Sequence, residues 1–297
     1  MSKRQQVITR FAPSPTGHLH LGHAYSAKRA YDFAQDRGGQ FLLRIEDIDA
    51  GRCKPEYEQA IYEDLTWVGL TWQEPIRRQS EHFDDYKQAL GILDQKGVLF
   101  PCFCTRKDIR REIEQSSQAP HDITAHSPEG PLYPGTCRDL TPEARQVRHD
   151  AGTPYALRLN MEKALSLLGD RTLTWTDLEA GEQAATADIL RSLLGDAVLA
   201  RKDTPTSYHL SVVVDDHLQN ISHVIRGKDL FHATHLHRLL QFLLGYEPPI
   251  YLHHDLLCDE NGIRYAKRDN SQTLRNLRAE GHRPADLLYP QAQFCSV

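Results

Sequence analysis

The chain has 297 residues and lacks three things: a positive net charge, a long apolar run and a disulfide framework. Its 35 Lys and Arg are outnumbered by 40 Asp and Glu, for a formal net charge of −5. That argues against a protein that coats nucleic acid without specificity. A nucleic-acid partner would have to meet a local basic face. Two candidates are Arg106, Lys107, Arg110 and Arg111, and the late run Arg264, Lys267, Arg268, Arg275, Arg278 and Arg283. No apolar run is long enough to span a bilayer. Met1 to Gln6 are polar and basic with no apolar region behind them, so neither a membrane anchor nor a secretory signal is expected. The six cysteines are unevenly spread, with Cys53, Cys258 and Cys295 outside any partner pattern. This fits a cytoplasmic chain better than a disulfide-stapled one. Internal repeats and low-complexity linkers are also missing.

What is present is ordinary for a soluble globular enzyme: 40% hydrophobic and 25% charged residues. The length suits one large domain or two ordinary ones. Residues 1–99 alternate strand-like and helix-like segments. Val7, Ile8 and Phe11 make a short apolar strand, and Ala24 to Asp36 reads as a helix. Phe41 to Ile45 reads as a buried strand. Glu56 to Val68 and Phe83 to Gln95 carry helical periodicity. This is the βαβ pattern of a parallel sheet. From residue 100 to 194 the character changes. Cysteine, proline, histidine and glycine concentrate between Pro101 and Cys137, followed by strand-like pieces at Tyr155 to Leu159 and Thr172 to Trp175. This region reads as an insertion. The βαβ pattern is expected to resume with Ser211 to Asp215 and His223 to Arg226. A helix from Ala233 to Leu244 should stop at Gly245.

The most informative stretch is Arg10-Phe-Ala-Pro-Ser-Pro-Thr-Gly-His-Leu-His-Leu-Gly-His23. Its prolines and glycine force a turn between the first strand and the first helix. A helix N-terminus in that position is where α/β proteins bind phosphate. Gly22 permits close approach of a ligand, and His20 and His23 can donate to phosphate oxygens. Two histidines near a turn would otherwise be unremarkable surface residues.

The whole string resembles the first signature of class I aminoacyl-tRNA synthetases of the glutamyl and glutaminyl branch. The resemblance implies a Rossmann-type parallel-sheet catalytic core of α/β class. It would be divided as 1–99 (first half), 100–194 (a zinc-bearing, acceptor-binding-like insertion), 195–245 (second half) and 246–297 (a short helical, stem-contact-like subdomain). It also implies the site. Arg10, Phe11, Ala12, Pro13 and Ser14 of the signature would contact glutamate. So would Glu46 in Arg44-Ile-Glu-Asp-Ile-Asp49, Tyr208, and Arg226, which opens Arg226-Gly-Lys-Asp-Leu230. The chemistry agrees: arginines suit a carboxylate and Glu46 suits an ammonium. ATP, with Mg2+, would meet His20, Gly22 and His23. A second signature on a loop corresponds to Arg264-Tyr-Ala-Lys-Arg268. Lys267 would contact phosphates, and His20, His23 and Lys267 would form the catalytic set. Arg264 and Ala266 depart from the usual lysine and serine there.

Cys102, Cys104 and Cys137 supply three thiols with spacing suited to tetrahedral zinc. From spacing alone a histidine, His121 or His126, could be the fourth ligand. The resemblance to short members of the branch implies Tyr133 instead, in a closed structural Zn2+ site.

Longer members continue into a domain that reads the anticodon, and such a domain is not expected here. The chain is similar to the truncated branch that activates L-glutamate without tRNA and transfers it to queuosine in the anticodon loop of tRNA(Asp). Two other readings stay open: a minimal enzyme charging a tRNA 3′ end, and a zinc-containing RNA-binding module without catalysis.

Overall fold

The computed structural model describes residues 6–116, 126–127, 130–258, 272–288 and 293–294. The first half runs β1 (Ile8–Phe11), α1 (Leu21–Gln35), β2 (Gln40–Ile45), α2 (Pro55–Trp67), β3 (Gln73–Arg78) and α3 (Phe83–Gln95). Strands β1, β2 and β3 pair in that order, all parallel. Helix α1 buries Ala24, Ala27, Ala30 and Ala34, an i, i+3, i+4 stripe of small side chains. That stripe lets the helix lie close to the sheet, and Thr9 Oγ1 donates to the Ala30 carbonyl at 2.8 Å. The return into β2 is equally tight. A Cβ at Gly39 would collide with the Val7 carbonyl oxygen, which accepts the Gln40 N–H that opens the β1–β2 pairing.

The middle of the chain runs β4 (Leu99–Cys102), α4 (Arg106–Ser116), β5 (His126–Ser127), β6 (Gly130–Pro131), α5 (Pro142–Asp150), β7 (Ala156–Leu159), α6 (Met161–Leu168), β8 (Leu173–Asp177), β9 (Gly181–Ala185), α7 (Ala187–Leu194) and β10 (Val198–Ala200). Strands β10, β7 and β4 form an antiparallel sheet of their own. The β8–β9 hairpin does not join it.

The remainder runs α8 (Tyr208–Leu218), β11 (His223–Gly227), α9 (Ala233–Leu244), β12 (Ile250–His254), β13 (Leu257–Cys258), α10 (Leu274–Ala279), α11 (Pro284–Leu288) and β14 (Gln293–Phe294). Strand β12 pairs in parallel with β11 on one side and with β8 on the other, so the order is β11-β12-β8-β9. Residues 173–185, inside the sequence limits of the insertion, therefore extend the sheet of the second half. The two sheets meet at β1 and β11 through Ser222. Its Oγ accepts the Ile8 N–H at 2.7 Å, and its N–H donates to the Ile8 carbonyl at 3.0 Å. This is a parallel sheet divided by an insertion.

Two elements differ from the sequence reading. Ser211 to Asp215, read as a strand from its three valines, lies inside α8. Every residue from Leu210 to Asp216 is buried, because α8 packs against α3, α9 and β10. A helix buried all round and a buried strand produce the same unbroken apolar run. Cys258, read as lying outside any partner pattern, is disulfide-bonded. Helix α9 does end as expected, with Gly245 left-handed at φ 75°. Among the described residues no helix is long and apolar enough to cross a membrane.

Candidate active site at the junction of the two sheets

Alternation along β11 and β12 decides what faces the junction. Val224 and Tyr251 belong to the core beneath α8 and α9, and Ile225 and Leu252 to the core beneath α1. Arg226 and His253, one step further and in register with each other, return to the α8–α9 side. Arg10 on β1 and Arg44 on β2 reach that side as well, because both bond to Asp216 on α8.

A cavity of about 450 Å³ opens where β1 and β11 end, the carboxyl edge at which open α/β sheets bind ligands. Arg10, Phe11, Ala12, Ser14, Glu46, Tyr208 and Arg226 line it, together with His20, Gly22 and His23. The sequence had proposed all of these. Pro13 stands behind the wall, where its carbonyl accepts the Glu46 N–H at 3.0 Å. That bond locks the first signature to the segment carrying Glu46.

The two histidines are oriented by the start of α1. His20 caps the helix, with Nδ1 accepting the Gly22 N–H at 3.1 Å. His23 Nδ1 accepts the His20 N–H at 3.2 Å. With both Nδ1 atoms acting as acceptors, each neutral ring carries its proton on Nε2. The rings lie 3.7 Å apart, centroid to centroid. The assembly is a pair of N–H donors at a helix N-terminus, an arrangement that favours an anion.

The charges behind the cavity are arranged unevenly. Arg10 makes a two-pronged pair with Asp216, Nε to Oδ1 at 3.1 Å and Nη2 to Oδ2 at 3.3 Å. The same carboxylate takes Arg44 Nη2 at 2.6 Å. Asp215 next to it receives Arg77, Gln79 and Tyr86. Arg226, in contrast, donates to His253 Nε2 at 3.0 Å, Thr234 Oγ1 at 2.7 Å and His237 Nδ1 at 3.4 Å. No carboxylate among the described residues forms an ion pair with it. Glu46 is 8% exposed. Burial raises its pKa to about 7, against the pull of Arg44 and Arg10. Burial also raises the pKa of the Tyr208 phenol and keeps it protonated.

Sequence reasoning missed Asp216, Thr234, His237, His253 and Asp177, which hold the two arginines. No short motif contains them. The acidic pair Asp215-Asp216 and the histidine pair His253-His254 were the only local signals. Lys267, with Arg264 and Ala266, lies outside the described residues. The flanks of that segment do border the site: Leu257 lines the cavity, and Thr273 bridges to His20.

A second cluster lies at the end of β4. The sulfurs of Cys102, Cys104 and Cys137 are within 4.8 Å of one another. The Tyr133 hydroxyl oxygen sits 3.4 Å from Cys102 Sγ and 3.7 Å from Cys104 Sγ, and accepts the Cys137 N–H at 2.8 Å. Ligand edges in a tetrahedral zinc site are roughly 3.5–3.8 Å from the usual Zn–S and Zn–O lengths, so these four donors fit one ion. His121 and the His126 side chain lie outside the described residues. The basic residues Arg106, Lys107, Arg110 and Arg111 are exposed on α4. Of the late run, Arg278 pairs with Glu63 and Arg283 with Asp286.

A parallel sheet split by an insertion, with a histidine-capped helix at its carboxyl edge, defines a class I synthetase catalytic domain. The family described as tRNA synthetases class I (E and Q), catalytic domain, matches residues 6–290, and the chain belongs to it. Its relatives include a protein of Rhodobacter capsulatus named glutamyl-Q tRNA(Asp) synthetase. That protein is 47% identical over 281 residues, covering 95% of this chain and 98% of the relative. A glutamate–tRNA ligase of Aquifex aeolicus is 38% identical, but the match spans only 56% of that longer protein. Among solved structures, a glutamate tRNA ligase of Elizabethkingia meningosepticum, determined with its amino acid, superposes with a TM-score of 0.76 at 30% identity. The match covers 94% of this chain and 59% of that one.

Proposed function

We propose that the protein activates L-glutamate with ATP, without tRNA, and transfers the glutamyl group to queuosine in the anticodon loop of tRNA(Asp). The observation that carries the first step is the cavity itself. It sets an arginine with no carboxylate partner among the described residues and a buried glutamate within one enclosure, beside two N–H donors at a helix N-terminus. A ligand with two carboxylates and one ammonium answers the first two features, and the phosphates of ATP answer the third. The side-chain carboxylate meets Arg226, with Arg10 and the Tyr208 hydroxyl alongside. Glu46 takes the ammonium. The α-carboxylate is left facing ATP.

In the activation step a carboxylate oxygen attacks the α-phosphorus, the bond to the bridging oxygen breaks and pyrophosphate leaves. The attacking group is already an anion, so no side chain needs to remove a proton. The protein contributes orientation and stabilisation of dispersed charge. His20 and His23 donate Nε2–H groups towards the phosphates, and Lys267 is assigned the same task. Mg2+ accompanies ATP as its counter-ion. In the second step a hydroxyl oxygen of queuosine attacks the glutamyl carbonyl, the bond from that carbonyl to the phosphate oxygen breaks, and AMP departs with the hydroxyl proton. Cys102, Cys104, Cys137 and Tyr133 would hold a structural Zn2+, which fixes the end of β4 against the 133–137 segment. The queuosine reading is supported by the Rhodobacter capsulatus relative, which the chain matches over nearly its full length.

The test is transfer of labelled glutamate, with ATP, to tRNA(Asp) prepared with and without queuosine, and to tRNA(Glu). Label on the queuosine-bearing tRNA alone is expected. Label on tRNA(Glu) instead would mean charging of a 3′ end. No label anywhere, together with no ATP–pyrophosphate exchange, would leave a non-catalytic module.

A further inference from the structure

Thr234, His253 and Asp177 have no place yet in the proposed chemistry, although all three are buried beside it. Arg226 is 5% exposed. Its guanidinium is held by Thr234 Oγ1, His253 Nε2 and His237 Nδ1, three acceptors without charge. Their neutrality has a structural cause. Asp177 Oδ1 accepts the N–H groups of Glu179 and Ala180 at 3.0 and 2.9 Å, so only Oδ2 faces His253, at 2.5 Å from Nδ1. The ring proton therefore sits on Nδ1, and the Nε2 lone pair is left for Arg226. Burial and the neighbouring guanidinium hold the His253 pKa down at about 4, against the pull of Asp177, so the ring is neutral at physiological pH. His237 is handled the same way. With Nδ1 facing Arg226, its Nε2–H points to His209 Nδ1 at 3.2 Å, and burial drives its pKa well below the usual value.

We infer that Thr234, His253 and Asp177 are positioning residues that make Arg226 selective, holding it by neutral acceptors so that its charge is reserved for a carboxylate of the substrate and a carboxamide is refused. This rests on the reading of Arg226 as the partner of the glutamate side chain. A guanidinium already paired with a carboxylate, as Arg10 is with Asp216, serves an amide oxygen and a carboxylate oxygen almost alike. A buried guanidinium held only by neutral groups gains far more from an anion. Arg10 thus supplies shape, and Arg226 supplies the distinction between acid and amide.

The test compares Thr234→Asn with Thr234→Asp, which have the same shape and differ in charge. The readout is ATP–pyrophosphate exchange without tRNA, with glutamate and with glutamine, separating KM from kcat. Thr234→Asn should raise the glutamate KM less than about tenfold and keep the preference for glutamate. Thr234→Asp places an anion on Arg226. It should raise the glutamate KM by about 100-fold and cut the glutamate-to-glutamine ratio of kcat/KM to a similar degree. The KM for ATP should stay within about threefold of wild type. If Thr234→Asp does not fold, Asp177→Asn makes the same distinction. The backbone N–H groups would keep the amide oxygen in place, so its NH2 would face His253 and move the ring proton to Nε2, against the Arg226 N–H. A glutamate KM raised by about tenfold or more is then expected. Equal effects of the two Thr234 variants, or wild-type behaviour of Asp177→Asn, would overturn the inference alone. Absence of glutamate-dependent exchange by the wild type would overturn the functional reading and the inference with it.

Discussion

Arg10 on β1 and Arg226 on β11 face one cavity from the two halves of the sheet, and their surroundings differ in charge. The first half is braced by ion pairs: Asp216 serves both Arg10 and Arg44, and Asp215 serves Arg77. The second half is braced by histidines and a threonine around Arg226. A buried arginine can therefore be kept for two purposes. Paired with a carboxylate it ties elements together. Held by neutral groups it remains available to a ligand.

Substitutions that remove one side of this contrast should separate stability from binding. The largest effect on activity is expected from Arg226→Ala: kcat/KM for glutamate in ATP–pyrophosphate exchange should fall by about 10³-fold or more. Its urea midpoint should move little, because the groups left behind are neutral. An Arg226→Ala variant with near-normal glutamate KM would remove the contrast altogether. Asp216→Ala should behave in the opposite way and lower stability by about 3–5 kcal/mol. It strands Arg10, which is 6% exposed, and leaves Arg44, which is 0% exposed, with only the longer pairs to Glu46 and Asp215 at 3.7 and 3.8 Å. Equilibrium urea unfolding measures this loss, and an unchanged midpoint would contradict the bracing role.

The third effect is a pH dependence. The Glu46 carboxyl, with its pKa raised to about 7 by burial, must be ionised to hold an ammonium. The ionised fraction rises with pH, so the glutamate KM should fall by about tenfold between pH 6 and 8. Glu46→Gln should flatten that profile. The same raised pKa contributes stability that is full below the unfolded carboxyl value and is lost as pH rises through 7. His253 has the opposite sign. Its depressed pKa contributes stability that is full above about 6.5 and is lost as pH falls towards 4.

The smallest effect at this cavity is expected from Cys104→Ser. It should abolish stoichiometric zinc by metal analysis while changing tRNA-independent exchange less than about threefold. The thiol cluster belongs to the antiparallel sheet and not to the cavity wall.

The part of the site that lay within short motifs was legible from the sequence. Arg10, His20 and His23 lie in one signature, Glu46 and Arg226 in two further short motifs that the family resemblance pointed to, and the cavity gathers all five. The residues that give the two arginines their different character were not legible. Asp216 lies 206 positions from Arg10, and Asp177 lies 76 from His253; only the tertiary fold brings such partners together. The valines of α8 misled for a related reason. Burial on every side erased the periodicity that separates a helix from a strand. The hairpin β8–β9 was hidden inside an insertion by sequence, yet it carries Asp177 to the edge of β12.

The most direct test of the contrast between the two walls is ATP–pyrophosphate exchange by the intact protein without tRNA, with glutamate and glutamine compared at saturating ATP. Exchange with glutamate, and a kcat/KM for glutamine lower by about 10³-fold or more, is the expected result. Comparable exchange with glutamine would contradict the account, because it would mean that the charge of Arg226 does not choose the ligand.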